Sequence, residues 1–197
     1  MRIAEAHTRR KGLLFVLSGP SGSGKDAVLE SFLGSCPGVV KCVTATTRSP
    51  RENEEPGRDY FFLSVDEFRR GIDAGEFLEY ANVHGNLYGT PRKWVEDSLA
   101  TGTDVILKID VQGGLAVKKL MPSAIAVFLA PPTFEELESR LRNRLTETED
   151  EIAKRLRDAR GEIERIPDYD YLIENETISE AANRLRCVIL AERSRVL

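Results

Sequence analysis

The residues Gly19-Pro20-Ser21-Gly22-Ser23-Gly24-Lys25 follow an apolar run and precede a helical pattern, and their types suit the holding of phosphate. Glycines let backbone N–H groups turn inward around an anion, and the N-terminus of the following helix adds partial positive charge. Lys25 is a flexible point charge within reach of the outer phosphates. The spacing is G-x-x-x-x-G-K in a strand-to-helix context. The position after the lysine, where a Ser or Thr hydroxyl usually ligates Mg²⁺, is Asp26, and Ala27 supplies no substitute. Two readings stay open: Asp26 ligates Mg²⁺ or its water, since that ion prefers oxygen donors, or its charge repels a nucleotide whose metal is held elsewhere.

A second group lies downstream. Arg48 and Arg51 sit three residues apart in a charged, proline-containing stretch, Thr47–Asp59, which reads as a loop. Long loops inside compact domains are usually functional. Two guanidinium forks converging on one phosphate give strong, bidentate hydrogen bonds, and the Tyr60 phenol can donate to the same anion. The segments Phe77–Ala81 and Gly85–Thr90 add a carboxylate (Glu79), a second phenol (Tyr88) and a hydroxyl (Thr90). Later, Arg140, Arg142 and Arg144 alternate in spacing, so a helix cannot present all three on one face, and Arg155 lies one helix start further on.

Elements that must position these groups show in the patterning. Short apolar segments alternate with periodic charged ones, the rhythm of an α/β protein with a parallel sheet. Strands are expected at 13–17, 39–46, 60–63, 77–83, 104–109, 124–129 and 171–174. Ser64 with Glu67, Thr133 with Glu136, and Thr148 with Glu151 each fit the capping box that starts a helix. Thr90 before Pro91 reads as an N-cap with proline at the first helical position. A last helix is expected from Ser179 to about Arg193, with Ala182, Leu185, Val188 and Ile189 as its apolar stripe.

Composition excludes some classes. The 197 residues carry 28 Lys and Arg against 32 Asp and Glu, a net charge of −4 that argues against a protein wrapping nucleic acid. The apolar runs at 13–17 and 124–130 are far shorter than the roughly 18–20 residues of a membrane span. Cys36, Cys42 and Cys187 form no CxxC pair and are expected to be reduced, buried thiols of a cytoplasmic protein.

Taken together, GPSGSGK at 19–25, TATTRSPRENE at 44–54, DYFF at 59–62, FLEYANVHGNLYGT at 77–90, IDVQGG at 109–114 and RLRNRLTETEDEIAKRL at 140–156 resemble the guanylate kinase family. The resemblance implies an α/β fold of the P-loop nucleoside monophosphate kinase type. A parallel core sheet flanked by helices (about 12–43, 91–132 and 167–197) would carry an inserted GMP-binding lobe (about 44–90) and a helical lid (about 133–166). It implies direct in-line transfer of the γ-phosphoryl of MgATP to GMP or dGMP. ATP would lie on Gly19–Asp26 and Arg140. Thr44, Arg48, Arg51, Glu54, Tyr60, Glu79, Tyr88, Thr90 and Asp110 would hold GMP: the phosphate on Arg48, Arg51, Tyr60 and Tyr88, the guanine on Glu79, Thr90 and Thr44. Lys25, Arg48, Arg144 and Arg155 would be catalytic, and Asp26 and Asp110, the latter through water, are candidate metal positions. Physical chemistry agrees about Glu79, because guanine offers N1–H and N2–H donors to a carboxylate while adenine presents an acceptor at N1.

Departures from the family pattern are Asp26, Lys108 where an acid is usual, and Leu145 where glycine or asparagine is frequent. An Asp26–Lys108 ion pair would restore the local charge balance. Two alternatives fit parts of the pattern. One is a non-enzymatic guanylate-kinase-like binding module, disfavoured by the intact P-loop. The other is a ribose 1,5-bisphosphate phosphokinase, favoured by Asp26 and disfavoured by the complete guanine-reading set. The oligomeric state is left open.

Overall fold

A computed structural model describes residues 11–83, 85–143 and 149–196. Arg144, Leu145 and the proposed cap Thr148 lie outside the described residues. In chain order the elements are β1 (Leu14–Ser18), α1 (Lys25–Leu33), β2 (Val39–Lys41), β3 (Thr44–Thr46), β4 (Tyr60–Phe62), α2 (Val65–Asp73), β5 (Phe77–Val83), β6 (Asn86–Pro91) and α3 (Arg92–Ala100). They continue with β7 (Asp104–Lys108), α4 (Val111–Leu120), β8 (Ile125–Ala130), α5 (Phe134–Arg142), α6 (Glu149–Ile163), β9 (Tyr171–Glu174) and α7 (Ile178–Arg193).

Five strands in the order β2-β7-β1-β8-β9 form a wholly parallel sheet. Burial on both faces explains why β8 and the first four residues of β1 are apolar rather than alternating. The period of two still decides which side each residue serves. Phe15 and Leu17 of β1 pack with Val28, Leu29 and Phe32 of α1 and with Ala181, Leu185 and Ile189 of α7. Leu14 and Val16 meet Val95 and Leu99 of α3 and Val117 of α4 on the opposite face. Strand ends and helix starts therefore converge along one edge, where ligands bind in open parallel sheets.

A second, mixed sheet has the order β4-β3-β6-β5. Its small core joins Ala45 to Phe68 and Phe77, whose rings stack with centroids 4.4 Å apart. Helices α5 and α6 bury Leu137, Leu141 and Ala159 against each other, the charged helical hairpin expected near 133–166.

Several local expectations need correction. The run 39–46 is two strands: β2 joins the parallel sheet beside β7, and β3 joins the second sheet beside β4 and β6. A run rich in β-branched residues on both sides hides the break, which falls at Cys42 as its N–H bonds Ile106 O at 3.0 Å. The segment Asn86–Pro91 is a strand, paired antiparallel with β5 across a turn at Gly85. Thr90 is consequently no helix cap; Pro91 precedes α3 with no side-chain cap, and Thr90 is buried. Ser64 and Glu67 form the full reciprocal capping box. Thr133 accepts from Glu136 N, while the Glu136 carboxylate turns to Arg140. Cys36 and Cys42 are buried, but Cys187 is exposed on α7. Among the described residues no helix is long and apolar enough to cross a membrane.

Candidate functional site

The glycine-rich loop connects β1 to α1 at the sheet edge, with Gly24 as the left-handed residue preceding the helix (φ 91°). A Cβ on Gly24 would stand 2.3 Å from Asn175 Nδ2, so both its backbone conformation and its surroundings require glycine. Asn175, just after β9, donates from Nδ2 to Ser23 O at 2.7 Å and fixes the loop from behind. Arg140 Nη2 donates to Asn175 O at 3.1 Å while Nε holds Glu136, which ties α5 to the same support. Asn175 is a positioning residue the sequence reading did not pick out; no motif marks it.

Lys25 Nζ curls over the loop and donates to Gly19 O (2.6 Å) and Pro20 O (3.0 Å). Burial pushes this ammonium down to about 8, against the pull of Glu162, Asp26 and Asp110 and with a push from Lys108. Glu162 of α6 is driven the other way by burial, to about 7, despite Lys25. Glu162 was also missed, because a single Glu in a helix rich in charge carries no signal. From the same helix Arg155 Nη1 donates to Ser21 Oγ at 2.8 Å, so α6 touches the loop directly. A cleft of about 780 Å³ lies between, lined by Ser21, Asn82, Asp110, Arg155 and Glu162 among others.

Asp110 follows β7 and caps α4, its Oδ2 accepting from Gln112 N (2.9 Å) and Gly113 N (3.4 Å). At the last residue of β7, Lys108 Nζ pairs with Asp26 Oδ1, the ion pair that the two unusual residues suggested. That contact, with Lys25 and Lys41 nearby, holds Asp26 below the ordinary carboxylate range.

On the facing sheet, Arg48 Nη2 grips both Glu54 oxygens (2.8 and 2.9 Å), and its Nε donates to Tyr88 Oη at 3.2 Å. Arg48 Cζ lies 5.5 Å from the Tyr60 ring centroid, and the Tyr60 and Tyr88 rings meet edge-on at 6.0 Å. Arg51 is exposed and joins this group through Glu54, whose Oε2 accepts from its backbone N at 2.9 Å. Thr44 is buried on β3, in register with Tyr60. Arg48, Glu54, Tyr60 and Tyr88 are thus brought together, as expected.

Glu79 is buried on β5, and Thr90 Oγ1 on adjacent β6 donates to its Oε1 at 2.6 Å. Burial raises the Glu79 carboxyl to about 7, with Asp110 adding to the rise and Thr90 opposing it. Gly113 of α4 comes so close that a Cβ there would lie 2.8 Å from Glu79 Oε2. The IDVQGG string was legible as a motif, but this steric role for its first glycine was not.

Comparison with known proteins agrees with the architecture. The guanylate kinase family profile matches residues 11–192. A curated guanylate kinase of Caldanaerobacter subterraneus subsp. tengcongensis is 41% identical over 95% of this chain and 91% of its own length. One from Geobacter sulfurreducens is 43% identical over 95% and 92%. The crystal structure of guanylate kinase from Anaplasma phagocytophilum superposes with a TM-score of 0.81 at 36% identity, covering 95% of this chain and 89% of that one. The chain belongs to the guanylate kinase family.

Proposed function

We propose that this chain transfers the γ-phosphoryl group of ATP to the phosphate of GMP or dGMP, giving ADP and GDP or dGDP. The observation that carries this reading is Glu79: an acceptor-only carboxylate, buried, oriented by Thr90, on the same sheet as the Arg48–Tyr60–Tyr88 group. A buried carboxylate lowers its own cost when two aligned donors meet it, and the guanine edge supplies them. Adenine would set its N1 lone pair against the carboxylate.

In this reading the residues near 44–90 form the acceptor lobe and those near 133–166 the lid. A GMP phosphate oxygen forms a bond to Pγ in line as the bridging Pγ–O bond to ADP breaks, with no covalent enzyme intermediate. Arg48, with Tyr60 and Tyr88, orients the acceptor phosphate; Arg51 joins it from the loop. The P-loop amides and Lys25 hold the donor phosphates, and Lys25 exchanges its carbonyl partners for them. Arg155 reaches the loop from α6 and neutralises charge on the transferring group. Arg144 is assigned the same task.

The donor set fits a Mg²⁺ that arrives on ATP. Such ions keep waters and phosphate oxygens and need one or two carboxylates; Asp26 lies in the first turn of α1 just after the P-loop and pairs with Lys108, and Asp110 lies two residues beyond Lys108 and lines the cleft. Among the described residues no three His, Cys, Asp or Glu side chains converge to hold a metal without the nucleotide. Asp26 and Asp110 would be the residues that hold it, and the ion would supply positive charge against the donor phosphates. A coupled ADP-release assay with GMP, AMP and ribose 1,5-bisphosphate tests the reading. Turnover with GMP alone supports it, faster turnover of the sugar bisphosphate overturns it, and no turnover would indicate a binding module.

A further inference from the structure

Lys108 occupies an unusual place. Its side chain is 17% exposed, whereas its ion-pair partner Asp26 is 83% exposed. A pair with one member in water returns little stability for the cost of desolvating the other. The ammonium therefore gains little for the fold from Asp26 alone.

Its other neighbour belongs to the facing sheet. Lys108 Nζ lies 5.5 Å from the centroid of the Tyr60 ring, the same distance at which Arg48 Cζ meets that ring. The two cations are thus no more than twice that distance apart and share one phenol.

We propose that Lys108 is an acceptor-phosphate ligand in this chain, held by Asp26 before GMP binds and shared with the phosphate of GMP once it does. The inference rests on the GMP assignment above and adds a residue that the family pattern, with an acid at this position, does not supply. A dianionic phosphate near Arg48 and Lys108 gives the largely buried ammonium a second, stronger partner, and charge-assisted bonds of this kind are short and strong. Tyr60 sets the spacing, since its ring contacts both cations and its hydroxyl faces the same anion.

The test is GMP binding by calorimetry without ATP or Mg²⁺, beside guanosine followed by NMR titration. Lys108→Met is expected to weaken GMP by roughly 10- to 100-fold, to leave guanosine unchanged and to flatten the salt dependence of GMP affinity. Lys108→Arg is expected to restore most of the loss. Lys93→Met removes an exposed charge paired with Asp97 on α3 and is expected to change nothing. The proposal is overturned if Lys108→Met binds GMP within about twofold of the wild type, or if GMP and guanosine weaken by the same factor, which would make Lys108 a strut between sheets. Should Lys108→Met fail to fold, Lys108→Gln is read in the same way. Failure of the wild-type protein to prefer GMP to AMP would instead count against the GMP assignment itself.

Discussion

Thr90 Oγ1 donates a 2.6 Å hydrogen bond to Glu79 Oε1 across the β5–β6 pair, and both residues are buried. One bond fixes the carboxylate and leaves Oε2 directed toward the start of α4, where Gly113 leaves room for it. The acid is therefore held ready at an energetic cost to the fold.

That cost is measurable. The folded-state carboxyl sits at about 7 against an ordinary 4.5, so the folded protein retains a proton that the unfolded chain releases. Below about pH 4.5 both states are protonated and the group is neutral toward stability. As pH rises through 7 the penalty grows to on the order of 3 kcal/mol and then levels off. Glu79→Gln, which can still accept from Thr90, is expected to raise Tm at pH 8 by roughly 5–10 °C and to change it little near pH 4. Thermal melts across that range check the sign.

Gly113→Ala would place a methyl group 2.8 Å from Glu79 Oε2. The carboxylate must then shift from its bond to Thr90, and a displacement of this size at a recognition group is expected to raise KM for GMP by about 10-fold or more. KM for ATP is expected to stay near its wild-type value. Steady-state kinetics with each substrate varied in turn would show the split.

The Asp26–Lys108 contact joins the first turn of α1 to the end of β7. Asp26→Ser and Lys108→Asp, each of which restores the family's usual residue type at one position, are expected to combine non-additively in kcat/KM. A coupling of 1 kcal/mol or more, roughly fivefold, is the expected outcome of the cycle. Strictly additive effects would mean that the two residues act separately.

Arg155 Nη1 reaches Ser21 Oγ from α6. If its guanidinium neutralises the transferring phosphoryl group, Arg155→Ala should lower kcat by about 10²–10³ with a small change in KM for GMP. Rapid-quench measurement of the chemical step would distinguish this from slower lid closure.

Much of the site was legible because phosphate chemistry leaves local strings. Gly19–Lys25 lies where its strand and helix flanks required, and Tyr60, Glu79, Tyr88 and Thr90 fall on one sheet, with Arg48 in the loop just after β3. What escaped was set by tertiary contact. Thr90-Pro91 has the chemistry of a helix cap, yet pairing of β6 with β5 turns Thr90 inward to Glu79. Residues 39–46 look like one strand because the sheet changes while the β-branched pattern continues. Asn175 and Glu162 act through neighbours more than a hundred residues away in the chain, and no local pattern records that. Lys108 was visible as a misfit with Asp26; its approach to Tyr60 needed the second sheet in place.

The most direct measurement compares kcat/KM for GMP and AMP in the wild-type protein and in Glu79→Gln. The wild type is expected to favour GMP by at least about 10⁴, as a site built for paired donors does when the base lacks them. Glu79→Gln is expected to lose most of that ratio through GMP, with AMP changed far less. A variant that keeps the full preference would contradict Glu79 as the residue that reads guanine.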